Sequence, residues 1–260
     1  MPPESAVRGL FVTGTGTGVG KSVLSAALLA AIAAAGEPVR AHKPVVTGLD
    51  EPPGEWPPDH ELLARLAGKA PTEVADMSPA EVTGMAPTEV APLRYGPAVS
   101  PHLAAELAGE RIDPERVVTS ALAALRDAEE RGSALIVEGV GGLLVPLAER
   151  FTVRDLAARL GLPLLVAASP GLGTINHTLL TVEAARAAGL DVRAVVLTPW
   201  PDRPAPMERS NRDTIARLGD VEVATLTHVS TPEPSALGSA GERLPWRGWL
   251  AAERSVPSRA

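Results

Sequence analysis

Residues 10–23 read LFVTGTGTGVGKSV. The segment Val7 to Thr13 is mostly apolar and β-branched or aromatic, which predicts a buried parallel strand. Gly14, Gly16, Gly18 and Gly20 follow, and Lys21-Ser22 opens an alanine- and leucine-rich run that predicts a helix. Strand, glycine turn and helix N-terminus together form a phosphate cradle. Glycines let backbone N–H groups converge on an anion, the helix dipole favours it, and a lysine adds charge at the terminal phosphates. Gly18, Val19, Gly20, Lys21, Ser22 and Val23 are therefore the candidate nucleotide contacts, with the Ser22 hydroxyl placed to ligate magnesium. The usual pattern G-x-x-x-x-G-K-[ST] would put its first glycine at position 15, which is Thr15. The glycine stands at 14, so this loop is one residue longer.

The chain of 260 residues is 45% hydrophobic, enough for a substantial core, and one α/β domain is the simplest organisation. Its formal charge is −7 with no basic run, which argues against nucleic acid or an anionic membrane as partner. There is no cysteine, hence no disulfide, no cysteine-ligated zinc and no thiol nucleophile. The segment MPPESAVRG lacks the apolar centre of a secretory signal, and Val23 to Ala35 is too short to span a bilayer. A cytoplasmic location is the resulting expectation.

Downstream, strands and helices alternate. Lys21 to Ala35 predicts the first helix, closed by Gly36, and Pro38 to Lys43 the second strand. Lys43-Pro44-Val45-Val46-Thr47-Gly48 then delivers polar groups from a strand end, the edge where open α/β sheets bind ligands. Residues 49–58, LDEPPGEWPP, form a turn-rich loop. A short helix is predicted over Asp59 to Ala67, with Asp59 as its N-cap. APTEVA occurs at 70–75 and again at 86–91 with SPAEV between, a low-complexity stretch (70–92) that predicts a surface excursion of short helical turns. Ser100-Pro101-His102 starts another helix, and Pro114 to Arg131 a long amphipathic one.

The strand Ser133 to Val137 runs straight into Glu138-Gly139-Val140-Gly141-Gly142. A carboxylate ending a buried strand, followed by glycines, resembles a metal ligand beside a close approach to phosphate. Helix Thr152 to Leu160 and strand Leu162 to Ala168 follow. Gly173-Thr174-Ile175-Asn176 opens a helix to Ala188 and offers a second anion site by geometry. A strand from Asp191 to Thr198, an irregular loop from Pro199 to Pro206, a helix from Met207 to Leu218 and a strand from Val221 to Thr225 complete the pattern. From about 230 the tail is rich in Pro, Ser and Gly, with Trp246, Trp249 and Leu250 as apolar docking points. The alternation predicts a mostly parallel sheet with helices on both faces, like that of P-loop nucleotide-hydrolysing proteins.

Four blocks, FVTGTGTGVGKS (11–22), KPVVTG (43–48), VEGVGGLLVPL (137–147) and LGTINHTLLTVEAARAAGL (172–190), resemble the dethiobiotin synthetases. The longer phosphate loop is itself a trait of that family, and the resemblance runs from about residue 7 to about 215. It implies an ATP- and magnesium-dependent cyclo-ligase of biotin synthesis, working as a homodimer on 7,8-diaminononanoate and carbon dioxide. One amine is carboxylated to a carbamate, ATP phosphorylates it, and the second amine closes the ring. By position the resemblance implies Lys21 at the β- and γ-phosphates, magnesium on Ser22, Asp59 and Glu138, and Lys43 at the carbamate. It implies Thr17 and Thr47 at the diamine or carbamate, and Gly139, Val140 and Gly141 beside substrate and phosphates. Gly173, Thr174, Ile175 and Asn176 would receive the substrate's distant carboxylate across the dimer interface.

The chain departs from the family pattern in places. Acidic residues common in the family are replaced by Gly16 and Gly18, and the asparagine that reads adenine is replaced by Thr198-Pro199. Proline has no N–H and threonine no amide, so other nucleoside triphosphates are expected to be admitted. Two other classes are possible. A P-loop switch or partitioning ATPase would make no evident use of KPVVTG, and the guanine-reading N-K-x-D is absent. An amidotransferase-linked ligase, as in cobalamin synthesis, would bring a nucleophilic cysteine.

Overall fold

A computed structural model describes residues 8–52, 54–68 and 84–251. In chain order its elements are β1 (Gly9–Gly14), α1 (Lys21–Ala34), β2 (Val39–His42), β3 (Val45–Val46), α2 (Asp59–Leu66), α3 (Pro87–Val90) and β4 (Leu93–Arg94). Then come α4 (Pro101–Leu107), α5 (Pro114–Glu130), β5 (Ala134–Glu138), β6 (Pro146–Ala148), β7 (Phe151–Thr152), α6 (Val153–Leu160) and β8 (Leu164–Ala168). The last are α7 (Thr174–Ala187), β9 (Val192–Trp200), α8 (Pro206–Gly219), β10 (Glu222–Thr227), α9 (Pro234–Gly241) and α10 (Trp246–Ala251).

Six parallel strands form one sheet in the order β10-β9-β8-β1-β5-β2. β1 lies inside it, with Phe11 opposite Val137 of β5 and Leu164 of β8. All six β1 residues are buried because helices cover both faces. The two-residue alternation of a strand sorts its side chains. Phe11 joins Val137, Val166 and Leu197 against α5, α6 and α7, while Leu10 and Val12 join Ile136, Leu165 and Val196 against α1, α2, α9 and α10. Strand order departs to both sides of β1, and in such sheets ligands sit at the carboxyl ends beside that switch.

α1 is buried through most of its length because a second helix lies over it. α9 comes close through its glycines: a Cβ on Gly241 would stand 2.1 Å from the Ala27 carbonyl oxygen. Residues 234–251 thus contribute helices within the stretch rich in proline, serine and glycine. Trp246 and Trp249 are buried against the same face.

Further differences from the sequence reading have local causes. β9 continues through Pro199 to Trp200. Its β8 neighbour ends opposite Leu197, so the missing proline N–H interrupts no ladder on that side. Residues 86–89 are exposed, and Pro87–Val90 make a short helical turn, α3. Val90, the last residue of α3, and Ala91 after it are buried, and the Val90 carbonyl accepts a 2.8 Å hydrogen bond from the Lys43 backbone N–H. The first copy of that string, at 70–75, and SPAEV lie outside the described residues. Asp59 is the first residue of α2 rather than its cap, a position held by Pro58. No described helix is long and apolar enough to cross a membrane.

Candidate active site

The turn after β1 is stitched to the sheet by Thr15, whose N–H donates to the Ala167 carbonyl at 3.0 Å. Gly20 then takes a left-handed φ of 89° to start α1, and a Cβ there would stand 2.6 Å from the Thr198 methyl. Only glycine satisfies both constraints. The second glycine turn, after β5, is held by Gly139 N–H donating to the Val12 carbonyl at 2.9 Å. It brings Gly142 against the phosphate loop, where a Cβ on Gly142 would stand 3.5 Å from the Gly14 carbonyl oxygen.

Between these turns lies a cavity of about 650 Å³. Its lining includes Thr17, Gly18, Gly20, Lys21, Ser22 and Val23 from the first turn and helix. Lys43, Thr47 and Asp59 come from the β2 and α2 side, and Val140 and Gly141 from the second turn. The structure thus gathers most of the sequence-predicted candidates around one space. Thr198 lies beneath the loop, 2% exposed, with its methyl against Gly20, while Pro199 is exposed. Gly173, Thr174, Ile175 and Asn176 lie at the start of α7 and do not line this cavity. Ala98, Val99, Ser100 and Pro101 do line it, and sequence reading took the last two only as a helix start. Their signal was weak: a Ser-Pro pair opening a helix marks an end, not a wall.

Beneath the cavity is a charge cluster whose Lys43 and Glu138 are buried and whose Asp59 is partly exposed. Lys43 Nζ donates to Glu138 Oε1 at 2.7 Å and is also paired with Asp59 Oδ2. The Ser22 hydroxyl donates to the same Glu138 Oε1 at 2.9 Å. Lys43 is 3% exposed and Glu138 is fully buried. Burial alone would lower the Lys43 ammonium, but the charges of Glu138 and Asp59 outweigh it and hold the pKa above the ordinary lysine value. Burial also acts on Asp59 in the opposite sense, and Lys43 overrides it to keep that carboxyl below the usual range. Lys21 donates to the Gly16 carbonyl at 2.7 Å, and burial depresses its pKa, with Glu138 as the main opposing influence.

Glu138 Oε2 is buried with no hydrogen-bond partner among the described residues. A carboxylate oxygen in that state, beside the Ser22 hydroxyl and the Asp59 carboxylate, suits a hard cation. Among the described residues no three His, Cys, Asp or Glu side chains gather as a metal site. The Ser22 hydroxyl and the carboxylates of Asp59 and Glu138 are hard oxygen donors of the kind magnesium takes, a metal that accepts few protein ligands and completes its shell with phosphate oxygens and water. Two ammonium groups, a glycine-lined anion cradle and hard oxygen donors together equip the cavity for phosphoryl transfer.

Comparison with known proteins agrees. A family profile described as an AAA domain matches residues 8–230. ATP-dependent dethiobiotin synthetase BioD of Anaeromyxobacter dehalogenans is 42% identical over 241 residues, covering 92% of this chain and 91% of the relative. The protein of the same name from Mycobacterium sp. (strain KMS) is 39% identical, covering 86% of this chain and 90% of its own. Among solved structures, the MinC:MinD cell division protein complex of Aquifex aeolicus matches with a TM-score of 0.57 at 14% identity, over 98% of this chain and 99% of that one. That likeness shows the P-loop ATPase fold alone. By its identity to relatives over nearly its whole length, the chain belongs to the ATP-dependent dethiobiotin synthetases, a family of P-loop ligases.

Proposed function

We propose that this protein closes the cyclic urea of dethiobiotin from 7,8-diaminononanoate and carbon dioxide at the expense of ATP. The observation that carries the reading is the cluster of Lys43, Glu138, Asp59 and Ser22 directly under a phosphate cradle. It supplies positioned charge, and the chain has no cysteine to serve as a covalent nucleophile.

One amine nitrogen attacks carbon dioxide and loses a proton, giving a carbamate. A carbamate oxygen takes the γ-phosphoryl group, ADP departs, and a mixed anhydride results. The second amine attacks the carbonyl carbon and loses a proton, phosphate leaves with the electron pair of the C–O bond, and the ring closes. Lys43 sits where negative charge develops on the carbamate, and Lys21 holds the β- and γ-phosphates together with backbone N–H groups from Gly18 to Val23. Thr17 and Thr47 orient the diamine or carbamate, while Gly139, Val140 and Gly141 allow phosphates close to the backbone. Ser22, Asp59 and Glu138 would hold magnesium, which when bound neutralises charge on the phosphates.

Gly173 to Asn176 of a second copy receive the substrate carboxylate at the α7 N-terminus, so the working unit is a homodimer. Thr198 and Pro199 border the base without an amide to read it, so nucleotides other than ATP are accepted. The protein acts in the cytoplasm on small molecules, without nucleic acid or membrane. Phosphate release from ATP, magnesium and bicarbonate, with and without the diamine, tests the reading. Release that depends on the diamine supports it; hydrolysis indifferent to the diamine would point to a switch ATPase.

A further inference from the structure

Asn211 belongs to α8, yet its side chain serves another element. It is 8% exposed, and its Nδ2 donates to the carbonyls of Pro170 at 2.9 Å and Gly171 at 3.2 Å. Both carbonyls lie in the turn between β8 and α7. The Gly171 carbonyl also accepts from the N–H of Thr174, the first residue of α7, at 3.2 Å. Gly173, between them, has a φ of 89°. Leu172 in the same turn is 94% exposed.

A turn with two glycines has wide conformational freedom unless its polar groups are held from outside. The Asn211 amide supplies that hold by binding consecutive carbonyls on the side facing α8. The direction in which the first α7 N–H groups point follows from the shape of this turn. We propose that Asn211 is a positioning residue for the substrate carboxylate: it fixes the Pro170–Gly173 turn so that the α7 N-terminus is preformed as an anion receptor. The inference rests on the reading that this N-terminus takes the carboxylate. Asn211 does not line the cavity beside the phosphate loop. α8 is anchored independently of Asn211, because Ile215 is fully buried, Arg212 lies 5.9 Å from the Trp200 ring centre, and Arg186 donates to the Gly219 carbonyl at 2.6 Å.

The test compares wild type with Asn211→Asp, Asn211→Ala and Asn211→Gln. Aspartate keeps the shape but replaces the donor with an oxygen facing two carbonyls, while glutamine retains an amide on a longer stem. Two substrates are used: 7,8-diaminononanoate, and a diamine of the same chain length ending in methyl instead of carboxylate. The expected result is a rise of about tenfold in KM for the diaminononanoate in the Asp and Ala variants, the scale of one charge-assisted hydrogen bond. The Gln variant falls between them and wild type. kcat, KM for ATP and KM for the methyl-terminated diamine stay within about twofold of wild type. Unchanged KM for the diaminononanoate in both Asp and Ala variants would overturn the inference. So would a joint fall of kcat and rise of every KM, which marks general loss of structure, or an equal effect on the methyl-terminated diamine. If wild type itself has the same KM for both diamines, the carboxylate reading fails first and this inference with it.

Discussion

Lys43 and Glu138 meet at 2.7 Å with the lysine 3% exposed and the glutamate fully buried. One sits at the end of the β2 strand and the other at the end of β5, adjacent parallel strands that pair His42 with Val137. The sheet register therefore sets the pair, which is more than a surface contact. Removing Lys43 leaves the buried Glu138 carboxylate to the Ser22 hydroxyl, and neutralising Glu138 leaves Lys43 to the partly exposed Asp59. Lys43→Met should cost about 3–5 kcal/mol in denaturant unfolding and Glu138→Gln less, because Asp59 still pairs with Lys43, while the double variant should cost clearly less than the two together. Additive losses would show that the two side chains do not depend on each other.

Glycines of the phosphate loop should differ sharply in tolerance. Gly18 has a φ of 74° with nothing within 4 Å of a built Cβ, whereas Gly20 has a φ of 89° and the Thr198 methyl at 2.6 Å. Gly18→Ala pays only backbone strain, about 1 kcal/mol, and should keep nucleotide binding. Gly20→Ala must also displace Thr198 or the start of α1, and should weaken ATP binding at least tenfold by calorimetry. Equal effects at both sites would contradict the packing described.

His42 gives the fold an acid limit. Burial lowers its pKa from 6.5 to about 4, and its Nδ1 has no partner among the described residues. Between those pH values the unfolded chain binds a proton that the folded one refuses, so stability is full above about pH 6.5 and falls as pH drops toward 4. The shift corresponds to about 3 kcal/mol over that window. Unfolding of His42→Gln, followed from pH 7 to 4.5, should show a flatter dependence than wild type. Parallel curves would remove His42 as the cause.

Much of this was legible in the chain, for identifiable reasons. Buried parallel strands write themselves as short apolar runs, and glycine with Lys-Ser marks the helix start, so β1, α1, β5 and the phosphate loop follow from local signals. The pairing of Asp59 with Lys43 was not legible, because an acidic residue at a helix start suits a cap as well as it suits an ion pair, and only the fold brings Lys43 to it. The partnership of Asn211 with Pro170 and Gly171 joins residues 40 and more apart and leaves no local pattern. The helices after 234 hid behind proline and glycine, because those glycines serve close packing on α1 rather than flexibility.

Nucleotide choice should be loose. Thr198 is buried and Pro199 lacks an N–H, so neither presents an amide to a base. In a panel of ATP, GTP, CTP and UTP with saturating diamine, kcat/KM should vary by less than about tenfold, since a site that pairs with a base discriminates far more strongly. A strict preference for ATP would show that another element reads adenine.

The central claim is that the carbon of carbon dioxide becomes the urea carbon at a site where Lys43 stabilises the transfer. The most direct measurement supplies ¹³C-bicarbonate with ATP, magnesium and 7,8-diaminononanoate and reads product mass against phosphate released. The account predicts a cyclic urea one mass unit heavier than with ordinary bicarbonate, one phosphate for each ring closed, and loss of both in Lys43→Ala although the variant still binds ATP. Phosphate released without labelled product, or a Lys43→Ala protein that closes the ring at the wild-type rate, would contradict it.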